Sequence, residues 1–326
     1  MRRGRGTAFL KIRKRRAERI VLALVRRSFQ ILRFLPIALS ARWAEQLFLT
    51  PPRQASTRRE RETLSSGRFR RVRAGHYRIA TWRWGKGPTV VLVHGWGGHA
   101  GRLSLFVAPL TQAGFSVVAF DAPGHSASEG KLCDLSDFVR ALQAVVRHYR
   151  AAAVVGHSLG GAACLLAMRR GLRVDAAVLL APLADPEEYT GRFATICRMP
   201  VPVRDSMKVR VAARQRVSWE RLRLARSAPS RAAPVLIFHD TGDLTVPVKN
   251  GRAIAAVWPG SDLVTTRGLG HHKILRDEQI IRSSTSFLAR TLLPARGRGG
   301  LAAAGGMRLS AGDGKTIAQS LLRSVS

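Results

Sequence analysis

Acidic residues are what this chain has least of for its size: 20 Asp and Glu stand against 55 Lys and Arg in 326 residues, a formal net charge of +35. Arginine supplies nearly all of that excess, lysine is sparse, and alanine and glycine are abundant. Such a mix also arises from codon usage in a GC-rich genome, so the charge by itself is weak ground for a nucleic-acid partner, and none is expected. Cysteine is scarce too. Cys133, Cys164 and Cys197 are dispersed, which excludes a disulfide framework and any Cys-x-x-Cys pair of metal ligands. The histidines show no His-x-x-x-His spacing and there is no Gly-x-x-x-x-Gly-Lys loop, so neither a metal site nor nucleotide chemistry is expected, and no cofactor. No apolar run approaches the roughly 20 residues that span a bilayer, because Arg26, Arg27 and Arg33 interrupt the one apolar stretch near the N-terminus.

What the chain does have is an alternation of strand-like and helix-like segments through its middle. Thr89–Val93, Phe115–Phe120, Ala151–Val155, Ala176–Leu180, Pro234–Phe238 and, last, Asp262–Thr266 read as strands, the first five apolar enough for the buried positions of a parallel sheet. Between them, Leu135, Phe138, Val139, Leu142, Val145, Val146 and Tyr149 recur at the spacing of one helix face. This is an α/β pattern. Within it, Gly156-His-Ser158-Leu-Gly160 follows one strand and precedes a helix-forming stretch. A sharp strand-to-helix turn exposes a serine hydroxyl, and glycines on either side admit the close backbone that such a turn requires. Ser158 is therefore the candidate nucleophile; a helix cap is the plainer alternative.

Around it stand His94-Gly95-Trp96-Gly97-Gly98 after one strand, Asp121 to Gly130 after the next, His239 to Pro247 after a late strand, and Gly268-Leu-Gly270-His271-His272. With these motifs in this order the chain resembles the α/β-hydrolase superfamily over roughly residues 75 to 290. Leu47-Phe-Leu-Thr-Pro-Pro-Arg53, the Trp-Gly-Gly turn and the Gly-Leu-Gly-His ending are similar to a bacterial branch of its serine hydrolases. The resemblance implies a mostly parallel sheet flanked by helices, with a helical cap inserted before the late strand that carries the acid.

A serine hydroxyl at neutral pH needs a base within hydrogen-bond reach, and the base needs a third group to hold its tautomer. The order serine, acid, histidine belongs to this fold. Asp243, in the turn closed by Val246-Pro247, is the preferred acid, with Asp240 as competitor; His271 is the preferred base, with His272 as alternative. The resemblance places the oxyanion donors at the backbone N–H groups of Leu159 and Trp96, and the Trp96 indole at a wall of the acyl pocket. His94, His157, Asp121 and His125 are read as residues that hold loops. A serine in place of the aspartate nucleophile of epoxide hydrolases and haloalkane dehalogenases leaves acyl substrates, esters first among them.

The remaining segments divide around this core. The interval of about 183–229 is too long for a plain connection and reads as the cap, in which Phe193, Ile196, Met199, Val201, Met207 and Trp219 are available to line an acyl pocket or to pack the cap on the core. Residues 1–52 form a basic, partly apolar extension, 53–74 an Arg-rich linker, 75–293 the α/β domain and 294–326 a disordered Gly/Ala/Arg tail. The extension reads either as an amphipathic helix on anionic lipid or as a solvated or docked arm. Arg26-Arg27-Ser-Phe29 has the look of a twin-arginine export signal, but Arg33 and Pro36 break its apolar part. A cytoplasmic protein is expected, with peripheral contact to an anionic membrane through the extension as one of its two readings. The expected function is carboxylic-ester hydrolysis by Ser158, His271 and Asp243 on a small acyl ester. A thioesterase or lysophospholipid-type lipase at a membrane surface, and a non-catalytic protein that binds through its basic arms, are the alternatives.

Overall fold

The computed structural model describes residues 19–32, 34–224 and 232–293; residues 1–18, the end of the expected cap and the expected tail at 294–326 lie outside the described residues. Eight strands, β1 (Arg68–Ala74), β2 (Tyr77–Trp84), β3 (Thr89–Val93), β4 (Ser116–Phe120), β5 (Ala151–His157), β6 (Ala176–Leu180), β7 (Val235–Asp240) and β8 (Ser261–Thr266), form one sheet in the order β1-β2-β4-β3-β5-β6-β7-β8. β3 to β8 are parallel, whereas β2 runs antiparallel to both β1 and β4. The helices in chain order are α1 (residues 19–32), α2 (Ile37–Leu49), α3 (Arg58–Ser65), α4 (Val107–Gln112), α5 (Leu135–Tyr149), α6 (Leu159–Arg169), α7 (Glu188–Cys197), α8 (Val201–Gln215), α9 (Trp219–Leu222), α10 (Lys249–Val257), α11 (Gly270–Lys273) and α12 (Glu278–Leu292).

Helices cover both faces of the sheet, which is why β3, β4, β6 and β7 are buried at every position and read as unbroken apolar runs. On one face the core joins Val91, Val93 and Val154 to Phe138, Leu142 and Val145 of α5 and to Leu165 of α6. On the other, Leu92, Val117 and Val155 meet Leu110 of α4 and Ile280 and Leu288 of α12. α5 begins where its sequence says it should: Asp134 Oδ1 accepts from the Asp137 N–H at 2.8 Å while Asp137 Oδ2 accepts from the Asp134 N–H at 3.2 Å. This reciprocal cap satisfies two donors that a helix start leaves open.

One segment differs from the sequence reading, and for a second the structure shows one of the alternatives that the sequence left open. The stretch expected to be a linker at 53–74 instead folds as α3 and the edge strand β1, and β2 follows directly. In β1 only Val72 and Ala74 are buried, while Arg68, Arg70, Arg71 and Arg73 are exposed. An edge strand needs an apolar side chain only where its inner face meets a helix, so its sequence carries almost none of the alternation that marks a strand. The N-terminal extension, for its part, is docked. Phe29 of α1 and Ala44 and Leu49 of α2 share a third core with Ala194, Cys197, Val203, Met207 and Val211 of α7 and α8, and Glu45 pairs with Arg210 at 2.6 Å. The cap is fastened to the main domain from its other side as well, where Arg214 of α8 lies 3.3 Å from Asp134 and 3.7 Å from Asp137 at the start of α5.

Candidate active site

The parallel strands deliver the candidate residues to one edge of the sheet, their C-terminal ends, where open α/β sheets bind ligands. Ser158 follows β5 directly with φ 53° and ψ −119°, a conformation that a non-glycine residue holds only where its surroundings impose it. Those surroundings are close. A Cβ at Gly160 would stand 2.4 Å from the His94 carbonyl oxygen and 2.5 Å from that of Val93, and one at Gly156 would stand 2.8 Å from Cys164 Sγ. The glycines are there for space, and the turn they permit places Ser158 at the N-terminus of α6.

His271, in α11 just after β8, lies with Nε2 3.0 Å from Ser158 Oγ and Nδ1 2.7 Å from Asp243 Oδ2. An ionised carboxylate only accepts, so Nδ1 carries the proton and Nε2 is left to accept from the serine hydroxyl. All three side chains are buried, none more than 7% exposed. Burial opposes the charge on Asp243, but the bond from His271 and the Thr245 and Val246 N–H groups, each 2.8 Å from Oδ1, outweigh it and hold the carboxyl below the usual range. The competitor Asp240 is occupied elsewhere: it accepts from the N–H groups of Gly242 and Leu269 and from Thr266 Oγ1, all at 2.9 Å, which ties the acid turn to the loop before His271. His272 is exposed and packs edge-on against His271 at 5.1 Å between ring centroids.

The loop after β3 lies against the nucleophile; a Cβ at Gly95 would meet Ser158 Cβ at 3.1 Å. Among the described residues neither the Trp96 nor the Leu159 N–H has a protein acceptor. His125 holds this loop by accepting from the Gly97 N–H at 3.1 Å while donating from Nδ1 to Pro123 O at 2.9 Å. His94 accepts from the Ala122 N–H at 3.0 Å and donates to Gly95 O at 2.7 Å. His157 Nε2 donates to the backbone carbonyl of His271 at 3.0 Å. Burial pushes His125 down to about 4 and His157 down to about 3, and His94 well below its usual value, so all three stay neutral. Asp121 takes the N–H groups of Ala100 and Ala127 at 2.7 and 2.9 Å, with burial raising its carboxyl to about 6.

The residues named for the acyl pocket are divided. Trp96 is half-buried beside the main core and meets His125 edge-on at 5.4 Å. Phe193 packs on Phe48 of α2, and Met199 is buried in the core between cap and N-terminal helices, so both serve there as packing. Trp219 touches that core and the main one and donates from Nε1 to Lys208 O at 3.0 Å. Two neighbours of the site escaped the sequence reading: Tyr189 Oη donates to Thr245 O at 3.3 Å, and Arg192 donates to the same carbonyl. Through them α7 rests on the acid turn. No local signal marks such a contact, since the partners are more than 50 residues apart. Among the described residues no group of three or more His, Cys, Asp or Glu side chains is arranged to hold a metal ion.

Comparison with known proteins places this geometry among hydrolases. Residues 86–220 match the family model described as serine aminopeptidase, S33, and residues 211–299 match that of TAP-like protein. The chain is 45% identical over 85 residues to a pimeloyl-[acyl-carrier protein] methyl ester esterase of Methylococcus capsulatus, covering 26% of this chain and 33% of that one. It is 34% identical over 113 residues to the human monoglyceride lipase, covering 31% and 37%. The matches thus span about a third of these relatives' length. An esterase from Pyrococcus furiosus superposes with a TM-score of 0.57 at 18% identity, covering 75% of this chain and 98% of that one. Mouse alpha/beta hydrolase domain-containing protein 10 gives 0.55 at 19%, covering 69% and 98%.

Proposed function

Because the chain belongs to the α/β-hydrolase superfamily, we propose that it is a serine hydrolase that cleaves carboxylic esters through Ser158, His271 and Asp243. The observation that carries this reading is the continuous line of hydrogen bonds from Ser158 Oγ through His271 to Asp243, on a serine held at positive φ. As Ser158 attacks the ester carbonyl, His271 Nε2 takes its proton, and Asp243 stabilises the imidazolium and keeps its orientation. The negative charge that develops on the carbonyl oxygen meets the N–H groups of Leu159 and Trp96 and the positive end of α6. His271 then protonates the departing alkoxide, and a water activated by the same nitrogen releases the acid from Ser158. Nothing in this cycle needs a cofactor.

The two relatives described above are named for ester substrates, one a methyl ester and the other a monoglyceride, which favours esters over amides for this chain. An amide also demands more protonation of its leaving group than an alkoxide does. The monoglyceride lipase match supports, as second reading, an acylglycerol or lysophospholipid taken from a membrane surface; a thioester is open to the same mechanism.

The test is hydrolysis of p-nitrophenyl esters of increasing acyl length, with an aminoacyl p-nitroanilide alongside, by the intact protein and by Ser158→Ala. Ester cleavage that falls by at least about 10³-fold in the variant is expected. Preference for the anilide would move the assignment to a peptidase. A folded protein that cleaves none of the panel would sink the simple-ester reading and leave a non-catalytic, binding use of the fold.

A further inference from the structure

More than half of the large apolar side chains left exposed among the described residues lie between residues 20 and 39. α1 is the reason. Val25 and Phe29 of α1 pack into the core shared with the cap, while Ile20, Leu24 and Ile31, four and seven residues apart, point the other way and are 53%, 63% and 65% exposed. A helix that is apolar on both sides belongs in a protein core or against lipid. Only one side of α1 is in the core. The start of α2 extends the patch with Ile37 and Leu39, and the cap adds Ile196, whose carbonyl accepts from Arg26 Nε at 2.9 Å. Patches of this kind on a soluble surface mark an interaction site.

Charge decides the occupant. From residue 19 to residue 44 the sequence contains no Asp or Glu, and Arg19, Arg27 and Arg42 are exposed there. Arg27 falls on the same outward stripe as Leu24 and Ile31. The sequence immediately before α1 is dense in arginine and lysine with only Glu18 opposing. A second copy docking symmetrically on this face would bring these cations against their own images. An acidic protein would meet the charges but not the bulky aliphatic side chains between them. Aliphatic side chains interspersed with arginine, and no acid, match an anionic bilayer, where apolar groups enter the headgroup and acyl boundary and guanidinium groups meet phosphates.

We propose that the outer face of α1, the start of α2 and the adjoining edge of the cap form a docking surface for anionic lipid bilayers. Among the described residues no helix is long and apolar enough to cross a membrane, so the contact is peripheral, with α1 lying in the plane of the interface. The residues of α1 and α2 lie outside the segments matched by the family models, and the proposal does not rest on the esterase reading. Binding is measured without turnover, so either can fail alone.

The experiment is flotation of the full chain with phosphatidylcholine vesicles, with and without phosphatidylglycerol, at about 0.15 M salt. The wild type is compared with the triple variant Ile20→Ser, Leu24→Ser, Ile31→Ser and with Arg27→Glu, Arg42→Glu. Tm verifies folding, which exposed positions leave intact. The wild type is expected to float with phosphatidylglycerol vesicles and not with pure phosphatidylcholine, and each variant to lose at least about tenfold in vesicle affinity. Failure of the wild type to float overturns the proposal. So does undiminished binding by the triple serine variant, which would leave charge alone as the cause. Sedimentation showing a dimer that the serine variant splits, with no lipid binding, would assign the patch to a second copy instead.

Discussion

Asp240 and Asp243 sit three residues apart in one turn, yet their surroundings give them different work, and their substitutions separate it. Asp243 bonds the imidazole and Asp240 bonds backbone and Thr266. Asp243→Asn should leave the fold in place and lower kcat by about 10³- to 10⁴-fold through loss of the tautomer, whereas Asp240→Asn should cost about 1.5–3 kcal/mol of stability with a smaller effect on kcat. Kinetics and chemical denaturation on the pair decide it; equal kcat losses would end the distinction. The glycines of the elbow make a second test. Gly160→Ala would press a methyl onto two backbone carbonyls, neither of which can swing aside, and should destabilise by about 3 kcal/mol or cause misfolding, as denaturant midpoints would show. Residue types, chain order and the family resemblance were enough to gather these candidate residues from the sequence, because the chemistry proposed for them needs those types. The preference for Asp243 rested on its place in the turn and on the family resemblance; which side chain reaches an imidazole 28 residues away is a matter of direction, and spacing contains no such vector.

Legibility mostly followed burial, with β8 as the exception, read as a strand although none of its positions is buried. The central strands and α5 carry their burial as apolar runs or helical stripes, so they were visible. β1 and β2 were not, since β1 shows solvent an arginine at most positions and β2 places Arg78 and Arg83 beside its buried residues. The N-terminal helices were seen as apolar and basic, but their partner was not, because the core they enter is assembled from α7 and α8 more than 140 residues later. That core has a consequence for the cap. Phe29 is 1% exposed and meets Trp43 edge-on at 5.0 Å, and Phe29→Ala should cost about 3–5 kcal/mol at that site. The loss should fall on the cap, so amide exchange in residues 188–215 should quicken while β5 and β6 stay protected; uniform acceleration would show that cap and sheet unfold as one.

At the scale of the whole molecule, acid should be the protein's weakness. His125, His157 and His94 are kept neutral by burial, so between the ordinary histidine value near 6.5 and about 4 the unfolded chain takes up protons that the folded chain refuses, and stability falls as pH falls. Asp121 acts in the opposite sense: with its carboxyl raised to about 6, the folded chain binds that proton before the unfolded one does. Burial also lowers His99, His239 and His272 and raises Asp134; six histidines against two aspartates give a net decline, and Tm should drop steadily from pH 7 to pH 4, whereas a flat or rising Tm would contradict the burial argument. Charge has a further effect at this scale. β1 is one of the two outer strands of the sheet, and its outer backbone edge, unpaired among the described residues, is the part of an open sheet that another copy would extend. Arg68, Arg70, Arg71 and Arg73 stand along it. A second molecule laying the same strand alongside would line up two rows of guanidinium groups a few ångströms apart, so the arginine excess of this chain serves, along this edge, to keep each sheet finite.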